Sequence, residues 1–251
     1  MEDKLKRKER IYFLRIPVDI VSEENVFEII KEIAAKGENN GQIMFLTMEA
    51  LFRARRDPVY YKCLYESTLI LPTARGIIRG IYSLRRLKAT RYNLFDFVIS
   101  LLSFAEKNAY PVYFLGGKKE DLEQAEKNVN TSFPNLRVIG RHAGYISGEL
   151  ETKVITAIRK SRPFLLLVGR GVKGREMWVH RHRQELQCGI VVWVDNCIEI
   201  FAGKHKYVSE KLFAAGLEST AGLFKRPWKV FLFFRYIYFN ILLLFYKIFR
   251  L

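Results

Sequence analysis

Apolar positions along this chain switch between two patterns. Runs that are apolar at nearly every position occur at Gln42 to Thr47, Ser67 to Leu71, Pro111 to Leu115, Leu136 to Ile139, Pro163 to Val168 and Ile190 to Val194. Such runs suit short strands buried on both faces. Ile11 to Ile16 reads as a further strand near the start. Between the runs, apolar residues recur at intervals of three and four. After Asp19 to Ser22, the stretch Glu23 to Ala35 places Val26, Ile29, Ile30 and Ile33 on one helical face. The same period predicts helices over Glu49 to Cys63, Leu94 to Lys107, Glu120 to Phe133, Glu151 to Lys160 and Arg175 to Leu186. Strands alternating with helices predict an α/β fold: a mostly parallel sheet with helices on both faces.

The 251 residues hold one sizeable domain and an appendage, and 49% hydrophobic with 27% charged residues excludes disorder of the whole chain. The net charge of +16 changes the picture, because it calls for an anionic partner. Cys63, Cys188 and Cys197 are odd in number and irregular in spacing, so neither a disulfide framework nor a zinc site is expected. Met1 to Arg10 is charged and lacks an apolar run, so no signal peptide is expected and the chain reads as cytoplasmic.

Glycines cluster where strands end, at Gly116-Gly117, Gly140 and Gly169-Arg170-Gly171. Ligands bind at the carboxyl ends of such strands, where glycine lets backbone approach and helix N-termini attract phosphate. Gly169-x-Gly171-x-x-Gly174, with Asp195 closing the next strand, matches the dinucleotide fingerprint. The unit sits late in the chain, however, and Lys173 and Arg175 crowd its loop. Three readings stand: a nicotinamide or flavin site, a nucleotide-diphosphate or other phosphate site, and a structural turn. Gly116-Gly117-Lys118-Lys119 is either a phosphate or sugar loop or a plain strand-to-helix turn. His180 and His182 are two apart and do not share a helix face, so no metal site is expected. The runs Arg53 to Arg56 and Arg85-Arg86 come with no nucleic-acid-binding signature and read as solvated faces; no nucleic-acid partner is expected.

The tail is distinct. From Ser219 to Leu251 there is no Asp or Glu, and Lys225, Arg226, Lys229, Arg235, Lys247 and Arg250 flank or interrupt the apolar run Val230 to Tyr246. On a helical wheel Val230, Phe231, Phe234, Ile237, Tyr238, Ile241, Leu242, Phe245, Ile248 and Phe249 share one side. Lys229, Arg235, Asn240, Lys247 and Arg250 share the other, together with Leu232, Phe233, Phe239 and Leu243. An aromatic face with a cationic rim predicts a helix lying on an anionic membrane. A membrane span and a packing or oligomer helix are the alternatives.

The order of several segments resembles the WecG/TagA/CpsF glycosyltransferases over almost the whole chain. They are Pro17-Val18-Asp19-Ile20, Arg53-Ala54-Arg55-Arg56-Asp57-Pro58, Phe114-Leu115-Gly116-Gly117, Phe133 to Gly140, His142-Ala143-Gly144-Tyr145, Gly169-x-Gly171 with Glu176 and Trp178, Ala202-Gly203, and Gly216-Leu217-Glu218. The resemblance implies a Rossmann-like core, taken as residues 1–204, and a membrane-associating appendage, 205–251. It implies transfer of a sugar, typically N-acetylmannosamine, from a UDP donor to an undecaprenyl-diphosphate-linked saccharide at the inner face of a bacterial cell membrane, in teichoic-acid-type envelope assembly. It implies no metal and no cofactor.

Departures from the family pattern are concentrated at polar positions. The family's Asp-Gly, whose carboxylate is the proposed base, stands here as Thr73-Ala74, and a threonine hydroxyl cannot act as a base near neutrality. The family's Asn is Thr47. Its Pro-Lys-Gln-Glu is Lys173-Gly174-Arg175-Glu176, and its Gly-Gly-x-Phe-Asp is Asp195-Asn196-Cys197-Ile198-Glu199. If catalysis persists, Glu176, Glu199 or Asp195 must supply the base. The resemblance then assigns Gly116, Gly117, Gly169, Gly171, Lys173, Arg175, Asp195 and Asn196 to the nucleotide sugar. It assigns Lys225, Arg226, Lys229, Arg235, Phe231 and Phe234 to the lipid diphosphate or membrane. Two functions are therefore expected: a transferase with altered or lost catalysis, or a non-catalytic partner that assembles with itself, an active paralogue or another envelope protein.

Overall fold

The computed structural model describes residues 8–37, 40–207, 213 and 230–249. Its elements, in chain order, are β1 (Glu9–Phe13), β2 (Ile16–Ile20), α1 (Glu23–Ala35), β3 (Gly41–Leu46), α2 (Met48–Ala54), α3 (Pro58–Tyr65), β4 (Leu69–Pro72), α4 (Arg75–Arg85), α5 (Leu94–Lys107), β5 (Val112–Leu115), α6 (Lys119–Ser132), β6 (Val138–His142), α7 (Glu149–Ser161), β7 (Leu165–Gly169), α8 (Glu176–Leu186), β8 (Ile190–Asp195), α9 (Cys197–Phe201) and α10 (Val230–Phe249). Six strands form one parallel sheet in the order β4-β3-β8-β7-β5-β6. The expected α/β architecture with helices on both faces is the one observed.

Strand alternation builds two apolar layers. Ile43, Leu71, Phe114, Leu167 and Val192 face α1, α5, α6 and α9. On the opposite face Met44, Leu46 and Ile70 meet α2, α3 and α4, while Leu115, Val168 and Val191 meet α7 and α8. The central strands are thus apolar at nearly every position, with Gln42 the buried polar exception, which is why they were legible as apolar runs.

Four features depart from the sequence expectation. The single strand Ile11 to Ile16 is instead an antiparallel hairpin, turning at Leu14 and Arg15 with φ of 50° and 68°. Such a turn normally carries Asn or Gly, and this one has neither. Arg55 Nη1 donates to the Leu14 carbonyl at 2.6 Å and holds it. The single helix Glu49 to Cys63 is two helices. Asp57 caps α3 by accepting from the Val59 and Tyr60 amides, and Pro58 opens it, so the chain breaks there. Helices α4 and α9 were not expected. In α4, Gly76 and Gly80 lower intrinsic propensity.

Those two glycines have a packing role. A Cβ on Gly80 would lie 2.5 Å from Phe13 Cζ and 3.0 Å from Leu243 Cδ2, and one on Gly76 would lie 3.3 Å from Phe239 Cε1. They let the hairpin and α10 press against α4. The hairpin in turn covers the β4 edge. Asp19, fully buried, accepts from Arg10 Nε at 2.7 Å, Arg10 Nη2 at 2.8 Å and the Ile70 amide at 2.7 Å. An edge amide that would otherwise invite pairing with another chain is satisfied in this way.

Helix α10 docks through Phe239 and Tyr246, both buried, with Leu242 and Leu243 half-buried beside them. Phe239 and Leu243 are two of the four apolar residues on the polar side of the helical wheel, and the core takes them. Phe234, Ile237, Tyr238, Ile241, Phe245, Ile248 and Phe249, the expected apolar face, remain exposed. Among the described residues no helix is long and apolar enough to cross a membrane. Lys225, Arg226 and Lys229 lie outside the described residues, as does the side chain of Phe231.

Candidate active site

The sheet reverses its strand order near β3, β8 and β7, and a cavity of about 530 Å³ opens beyond their carboxyl ends. This is the crevice where doubly wound sheets place their ligands. Arg53, Arg170 and Arg175 line it, with Glu49, Glu176 and Asp195, and with Thr47, Tyr60, Gly171 and Trp193.

Most of these charges are held by partners. Arg170 grips Asp195 through Nε to Oδ1 at 3.0 Å and Nη2 to Oδ2 at 3.3 Å, a two-point pair bridging β7 and β8. Arg175 Nη1 lies 3.8 Å from Glu49 Oε1 across the cavity. Arg53 stacks 4.3 Å above the Tyr60 ring and reaches Asp57 at 3.5 Å. The Thr47 hydroxyl caps α2 by accepting from the Ala50 amide at 3.0 Å.

Glu176 differs from the other two acids. It is the first residue of α8, and its carbonyl accepts from Gln42 Nε2 at 3.1 Å, which ties the helix start to β3. Its carboxylate makes no ion pair with a described residue. Burial pushes its pKa up, against smaller downward pulls from its own backbone N–H, Arg175 and Arg53. The neighbouring Cys63 thiol is pushed up to about 12, by burial first and by the Glu176 charge second. The Tyr60 phenol is raised for the same two reasons. A desolvated carboxylate facing a cavity is better able to accept a proton than a solvated one.

The residue just before Glu176 is strained. Arg175 has φ 53° and ψ −129°, a region that favours glycine. In this conformation Arg175 sits at the N-terminus of α8 and lines the cavity wall.

Of the residues singled out from the sequence, Gly171, Arg175, Glu176 and Asp195 line this cavity, and Thr73, Gly116, Gly117, Gly169, Lys173, Asn196 and Glu199 do not. Thr73 lies at the end of β4, and its hydroxyl donates to the Leu46 carbonyl at 3.3 Å. The Thr73 carbonyl accepts from Arg91 Nε at 2.7 Å, and Arg91 stacks 3.7 Å over Phe213. Gly116 and Gly117 knit neighbouring loops. A Cβ on Gly116 would come within 2.7 Å of Gly169 Cα, and the Gly117 amide donates to the Arg170 carbonyl at 2.7 Å. Asn196 precedes α9, and Glu199 sits on it with its Oε2 buried and without a hydrogen-bond partner among the described residues. His180 turns to Glu66 and His182 to Glu151, so the two histidines share nothing.

Arg53, Arg170, Tyr60 and Glu49 were not assigned to a site from the sequence. Arg53 read as part of a solvated basic face, and only the turn at Asp57 folds it back over Tyr60. A second hollow, about 630 Å³, shares Glu49 and Arg53 with the first and is lined further out by Phe52, Arg56, Phe234, Arg235 and Tyr238. Arg235 of α10 lies 5.4 Å over the Phe52 ring there.

Two relatives are similar over most of the chain. Both are named N-acetylglucosaminyldiphosphoundecaprenol N-acetyl-beta-D-mannosaminyltransferase. The Staphylococcus aureus (strain NCTC 8325 / PS 47) protein is 26% identical over 207 residues, 81% of this chain and 81% of its own length. The Bacillus subtilis (strain 168) protein is 23% identical over 181 residues, 72% of this chain and 70% of its own. The profile of the Glycosyl transferase WecG/TagA/CpsF family matches residues 11–251, and the chain belongs to that family.

Proposed function

We propose that this protein transfers a sugar from a nucleoside-diphosphate donor, of the UDP-N-acetylmannosamine type, to a saccharide carried on undecaprenyl diphosphate, in the assembly of a cell-envelope polysaccharide. Glu176 serves as the base in place of the carboxylate that Thr73 does not supply. The observation that carries this reading is the Glu176 carboxylate, desolvated and without an ion-pair partner among the described residues, in a cavity edged by three arginines. The acceptor hydroxyl oxygen bonds to the anomeric carbon as the bond from that carbon to the diphosphate breaks. The hydroxyl proton passes to Glu176, and the electron pair leaves on the diphosphate. Arg53 and Arg175 offset the charge that develops there, and no residue of the scheme requires a metal or cofactor.

The same reading places the protein on the inner face of the membrane. The exposed apolar side of α10, with Arg235 and Lys247, fits an interfacial helix on an anionic surface. The hollow that joins Arg53 to Phe234, Arg235 and Tyr238 leads from that side to the cavity, a route suited to a diphosphate whose hydrocarbon stays in the bilayer.

One observation favours a second reading, a non-catalytic protein that binds an active paralogue or another envelope protein: the end of β4, where the family base stands, carries an inert hydroxyl bonded to backbone and a carbonyl held by Arg91. The test is release of UDP from UDP-N-acetylmannosamine and UDP-N-acetylglucosamine with a short-chain lipid-diphosphate acceptor, beside an active family member. Turnover that Glu176→Gln abolishes supports the transferase. Absence of turnover beside an active control, with no activity regained by Thr73→Asp, supports the partner reading.

A further inference from the structure

A third hollow, about 260 Å³, runs between α4 and α10. Arg79 and Ser83 enter it from α4, and Asn240, Leu243 and Lys247 from α10. Its floor is the Phe239 ring, which Gly76 admits to within 3.3 Å of a Cβ position. No Asp or Glu lines it, and neither Arg79 nor Lys247 forms an ion pair with a described residue. Leu244 of α10, 58% exposed, also lines it, and Ile248, one helical turn further along α10, is 64% exposed.

Two elements far apart in sequence therefore bring one exposed cation each to a single groove, directly beside unpartnered apolar surface. Isolated surface cations are normally solvated, and isolated apolar residues are common. Their juxtaposition matches a ligand that is anionic at one end and hydrocarbon at the other. A free phosphate would satisfy Arg79 and Lys247 but would leave Leu244 and Ile248 in water.

We propose that the α4–α10 groove binds the phosphate headgroup of an anionic phospholipid. Arg79 and Lys247 flank the phosphate, Ser83 donates a hydrogen bond, and the acyl chains lie along Leu244 and Ile248. This rests on the membrane-facing reading of α10 and deepens it, because it turns a diffuse basic surface into a site with one occupant. It also sets the rotation of α10 on the bilayer, with the groove and the apolar face pointing the same way and the acceptor hollow opening beside them.

The experiment is flotation of the full-length protein with vesicles of phosphatidylglycerol or phosphatidylcholine. Arg79→Gln/Lys247→Gln is compared with Arg85→Gln/Lys88→Gln, which removes the same charge from exposed positions outside the groove. Two cations at an anionic surface together account for about 30-fold in binding. The groove variant is expected to lose that much on phosphatidylglycerol and to match the unaltered protein on phosphatidylcholine, while the control loses far less. Equal losses from both variants would overturn the groove assignment and leave only diffuse attraction. Release from the vesicles by excess inorganic phosphate would overturn the lipid in favour of a soluble phosphate. An unaltered protein that fails to float with phosphatidylglycerol vesicles would remove the membrane reading itself, and unchanged flotation of Ile241→Ser/Ile248→Ser would overturn the part given to the apolar face of α10.

Discussion

Replacing Glu176 with Gln should divide stability from activity. The carboxylate is half-buried at the start of α8, and its pKa stands above the ordinary 4.5 because burial disfavours the charged form. Below pH 4.5 the group is protonated folded or unfolded and costs nothing. As pH rises through 4.5 the unfolded chain releases the proton first, so stability is lost until the folded group ionises, and the full loss persists above that. Every tenfold by which burial weakens the acid costs the folded state about 1.4 kcal/mol. Glutamine keeps the shape and the polar contacts without the charge. The variant should therefore unfold at a higher urea concentration than the unaltered protein at pH 8, with the difference vanishing toward pH 4. In the UDP-release assay kcat should fall about 10²- to 10⁴-fold, the usual contribution of a positioned base. The acid limb of kcat in the unaltered protein should have its midpoint above 4.5 and be absent from the residual activity of the variant. Full activity in the variant would refute the assignment of the base, and a lower urea midpoint at pH 8 would refute the electrostatic argument.

Other consequences are as direct. Arg175→Gly relieves a backbone conformation costing on the order of 1–3 kcal/mol, so thermal unfolding should shift upward while calorimetric affinity for the UDP-sugar falls. Asp19→Asn leaves Arg10 without its counter-charge and should cost about 3–5 kcal/mol, read from denaturant unfolding. Phe239→Ala empties the seat of α10 and should cost about 3–5 kcal/mol; limited proteolysis should then cut first between the core and α10. Alanine at both Arg53 and Arg175 should abolish UDP-sugar binding by titration, and an unchanged affinity would remove both from the donor site.

The residues that line the cavity divide along physical lines. Glu176 and Arg175 were recognisable because they follow a strand-ending glycine loop at a helix start, a place where local chemistry and ligand geometry coincide. Arg53 was not, because its neighbours Arg55 and Arg56 made it look like one cation of a solvated row. Asp57 and Pro58 held the missing signal: an acid that caps and a proline that starts a helix, inside what reads as one continuous helix. Gly116 and Gly117, read from the sequence as either a ligand loop or a plain turn, lie outside the cavity lining. Strand-ending glycines serve loop packing as readily as ligand approach, and here Gly116 lies against Gly169.

Local pattern alone determined the class of fold, the strands of the parallel sheet, most helices and the apolar character of the tail, because burial on both faces or on one stripe writes itself into hydrophobic period. Only the tertiary structure decided which tail residues face the core. A helical wheel ranks positions by angle, and Phe239 and Leu243 fell on the side with Asn240 and Lys247 until Gly76 and Gly80 supplied a surface close enough to bury them. The hairpin turn at Leu14 and Arg15 needed the distant Arg55, and the cavity needed β3, β8 and β7 side by side although β8 comes last in the sequence. Such features depend on contacts between residues far apart along the chain, and no window of sequence contains them.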